Sequence, residues 1–92
     1  MSMIAKVMGG GTLVGGKAMI EGPGAPTVMA EGFVVSVMTD MVASHGEGAH
    51  AKATIVTSSK TVFAMGRGVV RKGDVATCGD PVMSASTVFV GA

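Results

Sequence analysis

His45, His50 and Cys78 are the only two histidines and the only cysteine of the chain. Imidazole and thiolate are the side chains that take borderline metal ions, and together they favour Zn²⁺, with Fe²⁺ and other divalent ions sharing such sites. His50 lies five residues beyond His45 across Gly46-Glu47-Gly48-Ala49, a flexible stretch that lets it fold back onto the same ion. Three protein ligands with one open position is also the layout of catalytic zinc. The His-Gly-Glu-Gly-Ala-His order is not the helical H-E-x-x-H, however, in which the Glu adjoins the first His and both His share a helix face. No nucleophile and base accompany these residues, so the sequence predicts no enzyme. A solvated loop His and a small buried Cys are the ordinary alternatives. Gly11-Thr12-Leu13-Val14-Gly15-Gly16-Lys17-Ala18 matches a phosphate-cradling loop until Ala18, which lacks the hydroxyl that would hold magnesium.

The elements that must position these ligands recur along the chain. Thr27-Val28-Met29-Ala30-Glu31-Gly32 is echoed by Thr61-Val62-Phe63-Ala64-Met65-Gly66 and by Thr87-Val88-Phe89-Val90-Gly91. The first two copies are 34 residues apart (61 minus 27), and the same offset carries Asp40 onto Asp74. Each copy neighbours a short strand that runs into a turn: Val7 to Gly15, Val37 to Gly46, and Arg71 to Gly79. His45 and Cys78 hold corresponding places, a few residues after the repeated Asp and directly before a Gly. Lobes set around a pseudo-threefold axis would bring them together.

Composition agrees with strands. Fifteen Val stand against one Leu, and no stretch of 11 residues has helical periodicity without Gly, Pro or a β-branched cluster. The expected fold is all-β, a small cone of short strands and turns with pseudo-threefold repeats, in a single domain over residues 1–92 with no effector extension. A chain of this size buries a thin core, and one Cys cannot staple it by an internal disulfide. Seven basic and six acidic side chains, with no basic cluster beyond Arg71-Lys72, predict no nucleic-acid partner. No apolar run approaches the length of a membrane span, and Gly9-Gly10-Gly11 interrupts what could have been a signal peptide.

Taken in order, these segments resemble the PAAR-repeat proteins that tip the spikes of contractile injection systems, the type VI secretion apparatus and phage tails. Gly66 to Asp74 is similar to that family's G-K-P-x-A-R-x-G-D segment, Asp40 to His45 followed by His50 to its D-x-x-C/H…H stretch, Thr77-Cys78-Gly79 to its T-x-C-G turn, and Thr87 to Gly91 to its closing strand. Gly68-Val69-Val70-Arg71 and Phe33-Val34-Val35-Ser36 replace the Pro-Ala-Ala-Arg signature. Gly9 to Gly16 resembles the family's first turn, with Val14 where a ligand His would stand. The family's three-His-one-Cys zinc set thus carries over to His45, His50 and Cys78. The fourth position is open to water or a protein group, with Asp40, Asp80 and Glu47 the nearest carboxylates in sequence.

The resemblance implies a structural tip, not an enzyme. It would cap a trimeric β-helical spike (VgrG-like or phage spike) with one copy per trimer and no homo-oligomer, touching a target membrane transiently. The tip would sit on a virion tail or leave through the apparatus after cytoplasmic assembly. Its docking face is expected to carry the Val, Met and Phe side chains of the Thr-Val strands. A free-standing metal-binding or adaptor module is the alternative.

Overall fold

The computed structural model describes residues 2–90, so Gly91, which ends the third Thr-Val copy, and the outermost residues of the 1–92 unit lie outside the described residues. The strands are β1 (Ser2–Met3), β2 (Leu13–Val14), β3 (Ile20–Gly22), β4 (Ala25–Ala30), β5 (Phe33–Val35), β6 (Met41–Val42), β7 (Phe63–Ala64), β8 (Arg67–Gly68), β9 (Val82–Met83) and β10 (Phe89–Val90). All pair antiparallel, as β1·β10, β2·β9, β3·β6, β4·β5 and β7·β8. Among the described residues the only helical turn is a 3₁₀ turn at Gly48–His50, and no helix is long and apolar enough to cross a membrane. The all-β fold of short strands and turns is therefore the one the Val-rich, Leu-poor composition predicts.

Threefold order is written in backbone hydrogen bonds. The Ala5 N–H donates to the Val70 carbonyl, Val70 to Ser36, and Ser36 back to Ala5, each at 3.0 Å, closing a ring. A second ring runs from Val7 to Val34, Met38 to Gly68 and Lys72 to Met3, each at 2.8 Å. These bonds make residues 5, 36 and 70 equivalent, with offsets of 31 (36 minus 5) and 34 (70 minus 36). Side chains alternate on the three central segments as on any extended strand. Ala5 and Val70 enter one core cluster with Val14, Ile20, Val42, Ile55 and Val82, while Ile4, Val35 and Val69 enter another with Ala30, Ala64 and Val90. The central layer thus separates two apolar layers in a body of 32 × 23 × 22 Å.

Each central segment ends in a turn held by one side chain at the same place. The Asp40 carboxylate accepts from the Val37 N–H at 2.9 Å, Asp74 accepts from the Arg71 N–H at 2.7 Å, and the Thr12 hydroxyl accepts from the Lys6 N–H at 3.0 Å. The repeated Asp is therefore a turn clamp. Gly9-Gly10-Gly11 is a three-residue insertion that moves Thr12 into the place of the third Asp.

On the other side of the central layer stand three hairpins. Glu31-Gly32 (φ 53° and 85°) joins β4 to β5, and Met65-Gly66 (φ 51° and 81°) joins β7 to β8. Both are two-residue turns with positive φ at each central position, the geometry that matches strand twist. The third pair, β1·β10, brings together the two ends of the described chain, and its register of Met3 with Phe89 repeats that of Gly68 with Phe63. In every copy the residue after the Val points outward and the next points in. Met29, Phe63 and Phe89 are 55%, 61% and 50% exposed, whereas Ala30, Ala64 and Val90 are buried. Val28, Val62 and Val88 are exposed as well.

Candidate metal centre

The layer away from the hairpins holds the ligand-bearing turns. His45 follows β6 in a loop closed by its own N–H donating to the His50 carbonyl at 3.1 Å, and the 3₁₀ turn at Gly48–His50 swings the second imidazole back. Cys78 and Asp80 sit on the turn after Ala76, where the Gly79 N–H donates to the Ala76 carbonyl and the Ala76 N–H to the Asp80 carbonyl. Cys78 packs partly buried against the first core cluster and forms no disulfide.

Four ligand atoms converge within 4.8 Å of one another, one each from His45, His50, Cys78 and Asp80. From His45 Nε2 the distances are 3.0 Å to Asp80 Oδ2, 3.1 Å to His50 Nδ1 and 3.7 Å to Cys78 Sγ. His50 Nδ1 lies 3.3 Å from Asp80 Oδ2. Bonds of about 2.0 to 2.3 Å in tetrahedral geometry place zinc ligands about 3.3 to 3.7 Å apart, and the 3.0 to 4.8 Å spread of the four atoms brackets those separations.

Tautomer chemistry sharpens the point. The His45 Nδ1 lies 2.9 Å from the Ala43 carbonyl, which can only accept, so this nitrogen carries the proton. In the neutral ring, Nε2 then offers a lone pair toward the Asp80 carboxylate. Two electron-pair donors at that distance need a proton or a metal ion between them. The Asp80 carboxyl is held below the usual carboxylate range, first by its hydrogen bond with His45, against the partial burial that raises it, with His50 and the Cys78 thiol adding to the lowering.

The three ligands expected from sequence are brought together, and of the three carboxylates weighed for the fourth position only Asp80 joins them. Asp40 is fully buried elsewhere, accepting from Ser36 Oγ, Val37 N–H and Gly24 N–H. Glu47 is exposed and flanks the 3₁₀ turn without capping it. Val14, where a ligand His was missing, is buried in the first core cluster. Its neighbour Gly15 supplied a signal: a Cβ there would stand 2.8 Å from the Asp80 carboxyl carbon. A bare backbone at residue 15 lets the carboxylate approach the turn that lacks its ligand.

A trilobed all-β body closed by rings of backbone bonds, with a cluster at one side that could hold a metal ion, is the class of protein that these features define. The PAAR motif model matches residues 8–84, and the chain belongs to that family. The family is one of structural spike tips rather than enzymes. No curated protein matches the chain.

Proposed function

We propose that the chain is the structural tip of a contractile injection machine, in a type VI apparatus or on a phage tail, capping and sharpening the trimeric β-helical spike that pierces a target envelope. The observation that carries this reading is the threefold set of outward apolar side chains, Val28, Val62 and Val88 with Met29, Phe63 and Phe89, arranged about an axis built within one chain. A threefold partner can meet such a face lobe by lobe, and its open strand ends need a cover. Membership of the PAAR family supports the same reading.

In this reading His45, His50, Cys78 and Asp80 hold one structural ion, most simply zinc. A metal supplies the cross-link between loops that a thin core cannot. The test is capture of the isolated tip by its trimeric spike, read by calorimetry. Phe63→Asp, on an exposed position, should abolish capture while the tip keeps its melting temperature. Retained capture by Phe63→Asp and by Met29→Asp would place the docking face elsewhere, and a chain that binds metal but no spike would favour the free-standing module.

A further inference from the structure

The lobes meet at joints that should be alike, and two of them are not. At one joint Glu31, in the β4–β5 turn, accepts from Ser86 Oγ at 2.6 Å and Thr87 Oγ1 at 2.9 Å. It also pairs with Lys6, whose side chain is nearly fully buried. This joint is sealed by a carboxylate between two hydroxyls and a cation.

The ring register places Met65 where Glu31 stands, Thr27 where Thr87 stands, Pro26 in the place of Ser86 and Val37 in that of Lys6. At this second joint the Thr27 hydroxyl reaches only the Met65 thioether, at 3.5 Å, a weak acceptor. A cavity of about 230 Å³ lies beside it, with Pro23, Pro26, Val37, Ala64, Met65 and Arg67 among its walls. Arg67 takes the place of Phe33 in the sealed joint. It donates to Thr39 Oγ1 at 3.4 Å and forms no ion pair among the described residues. The joint therefore has a hydroxyl, a guanidinium and space, but no anion.

We infer that this open joint receives one carboxylate side chain, Glu or Asp, from the trimeric spike, which would sit as Glu31 sits in the sealed joint. The inference rests on the spike-tip reading. Charge complementarity with Arg67 and the occupied joint in the same molecule argue for this occupant. The cavity is below the roughly 300 to 1,000 Å³ of small-molecule pockets, which suits a single side chain. Because one joint is filled from within and this one is not, a symmetric spike meets unlike joints, and its acid is accepted at the open one.

The experiment is calorimetric titration of the trimeric spike with wild-type tip, Arg67→Gln, Met65→Glu and Phe63→Asp. Residues 65 and 67 are exposed, and Glu at 65 adopts the positive φ that Glu31 adopts at the equivalent position, so both variants should melt as wild type does. Arg67→Gln should raise the dissociation constant about 5- to 20-fold and flatten its salt dependence. Met65→Glu, which supplies the carboxylate from within, should weaken binding to a similar degree. Wild-type affinity in Arg67→Gln, or in Met65→Glu, overturns the inference if Phe63→Asp still abolishes capture. If Phe63→Asp also binds as wild type, the docking reading fails and this inference fails with it.

Discussion

Asp80 is the carboxylate that stands with His45, His50 and Cys78, beside the turn where Val14 takes the place of a ligand His. Three carboxylates lay near the ligands in sequence, and nothing in their spacing ranked Asp80 above Asp40 or Glu47. The two differences are structural: Asp40 is consumed by the turn it clamps, and Gly15 leaves room for Asp80. His45, His50 and Cys78 were legible because their types are rare, because His45 and Cys78 each stand before a Gly a few residues after the repeated Asp, and because His50 lies a flexible five residues beyond His45. With an ion bound, Cys78→Ser and His45→Ala should lose it and melt far lower, since structural zinc contributes on the order of 10 kcal/mol. Asp80→Asn should keep the ion with affinity reduced at least tenfold, and chelator should then destabilise it at a lower concentration than wild type. Elemental analysis and melts with and without chelator check this, and melts indifferent to all three substitutions would return the cluster to a metal-free hydrogen-bonded pair of His45 and Asp80. A second residue-scale prediction concerns strain. Positions 8, 39 and 73 are equivalent, with φ of 61°, 77° and 95°, and only the last is Gly. The β-branched Thr39 is the most strained of the three in this region. Thr39→Gly should stabilise the chain by about 1 kcal/mol in denaturant melts, net of the greater freedom Gly gains on unfolding.

Among the elements, the Thr-Val copies were legible as a repeat, but the hairpin turns at Glu31-Gly32 and Met65-Gly66 emerge only from the positive φ of their backbones. The central rings were not foreseeable, since they are made by backbone groups that every residue has. The resulting register refines the sequence reading: Val35, not Val34, answers to Val69. The turn clamps give a pH prediction. Burial raises the Asp74 pKa, but the Arg71 side chain and N–H, with the Thr57 hydroxyl, outweigh it and leave the carboxyl below its ordinary value of 3.8. A lowered folded-state pKa means that the clamp's stabilisation is complete above the unfolded value and is lost as pH falls through the folded one. Stability should therefore drop below about pH 4. Asp74→Asn, which removes that titration and leaves Arg71 without its ion partner, should cost about 2 kcal/mol at neutral pH and flatten the acid limb. Glu31 follows the same sign: its carboxyl is lowered from 4.5 to about 2, chiefly by Lys6, so the contribution of the sealed joint is complete above the unfolded value and is lost as pH falls toward 2. Urea melts from pH 7 to pH 2 separate the two, and an acid limb unchanged in Asp74→Asn would show that another group governs it.

For the molecule as a whole, three lobes in one chain predict stoichiometry. Native mass spectrometry of the assembled complex should find one tip on one spike trimer, and a homotrimer of tips would contradict the fold's internal symmetry. The same closure has a consequence for how the protein is made. Two of the three hairpins join neighbours in sequence, but the third waits for residues 2–3 to meet residues 89–90. Synthesis at roughly 5 to 20 residues per second separates those two strands by about 4 to 17 s. During that interval β1 has no strand partner, although every residue of both backbone rings is in place once residue 72 is made. The third lobe is thus the last to close, and the apolar side chains it covers stay open until β10 emerges.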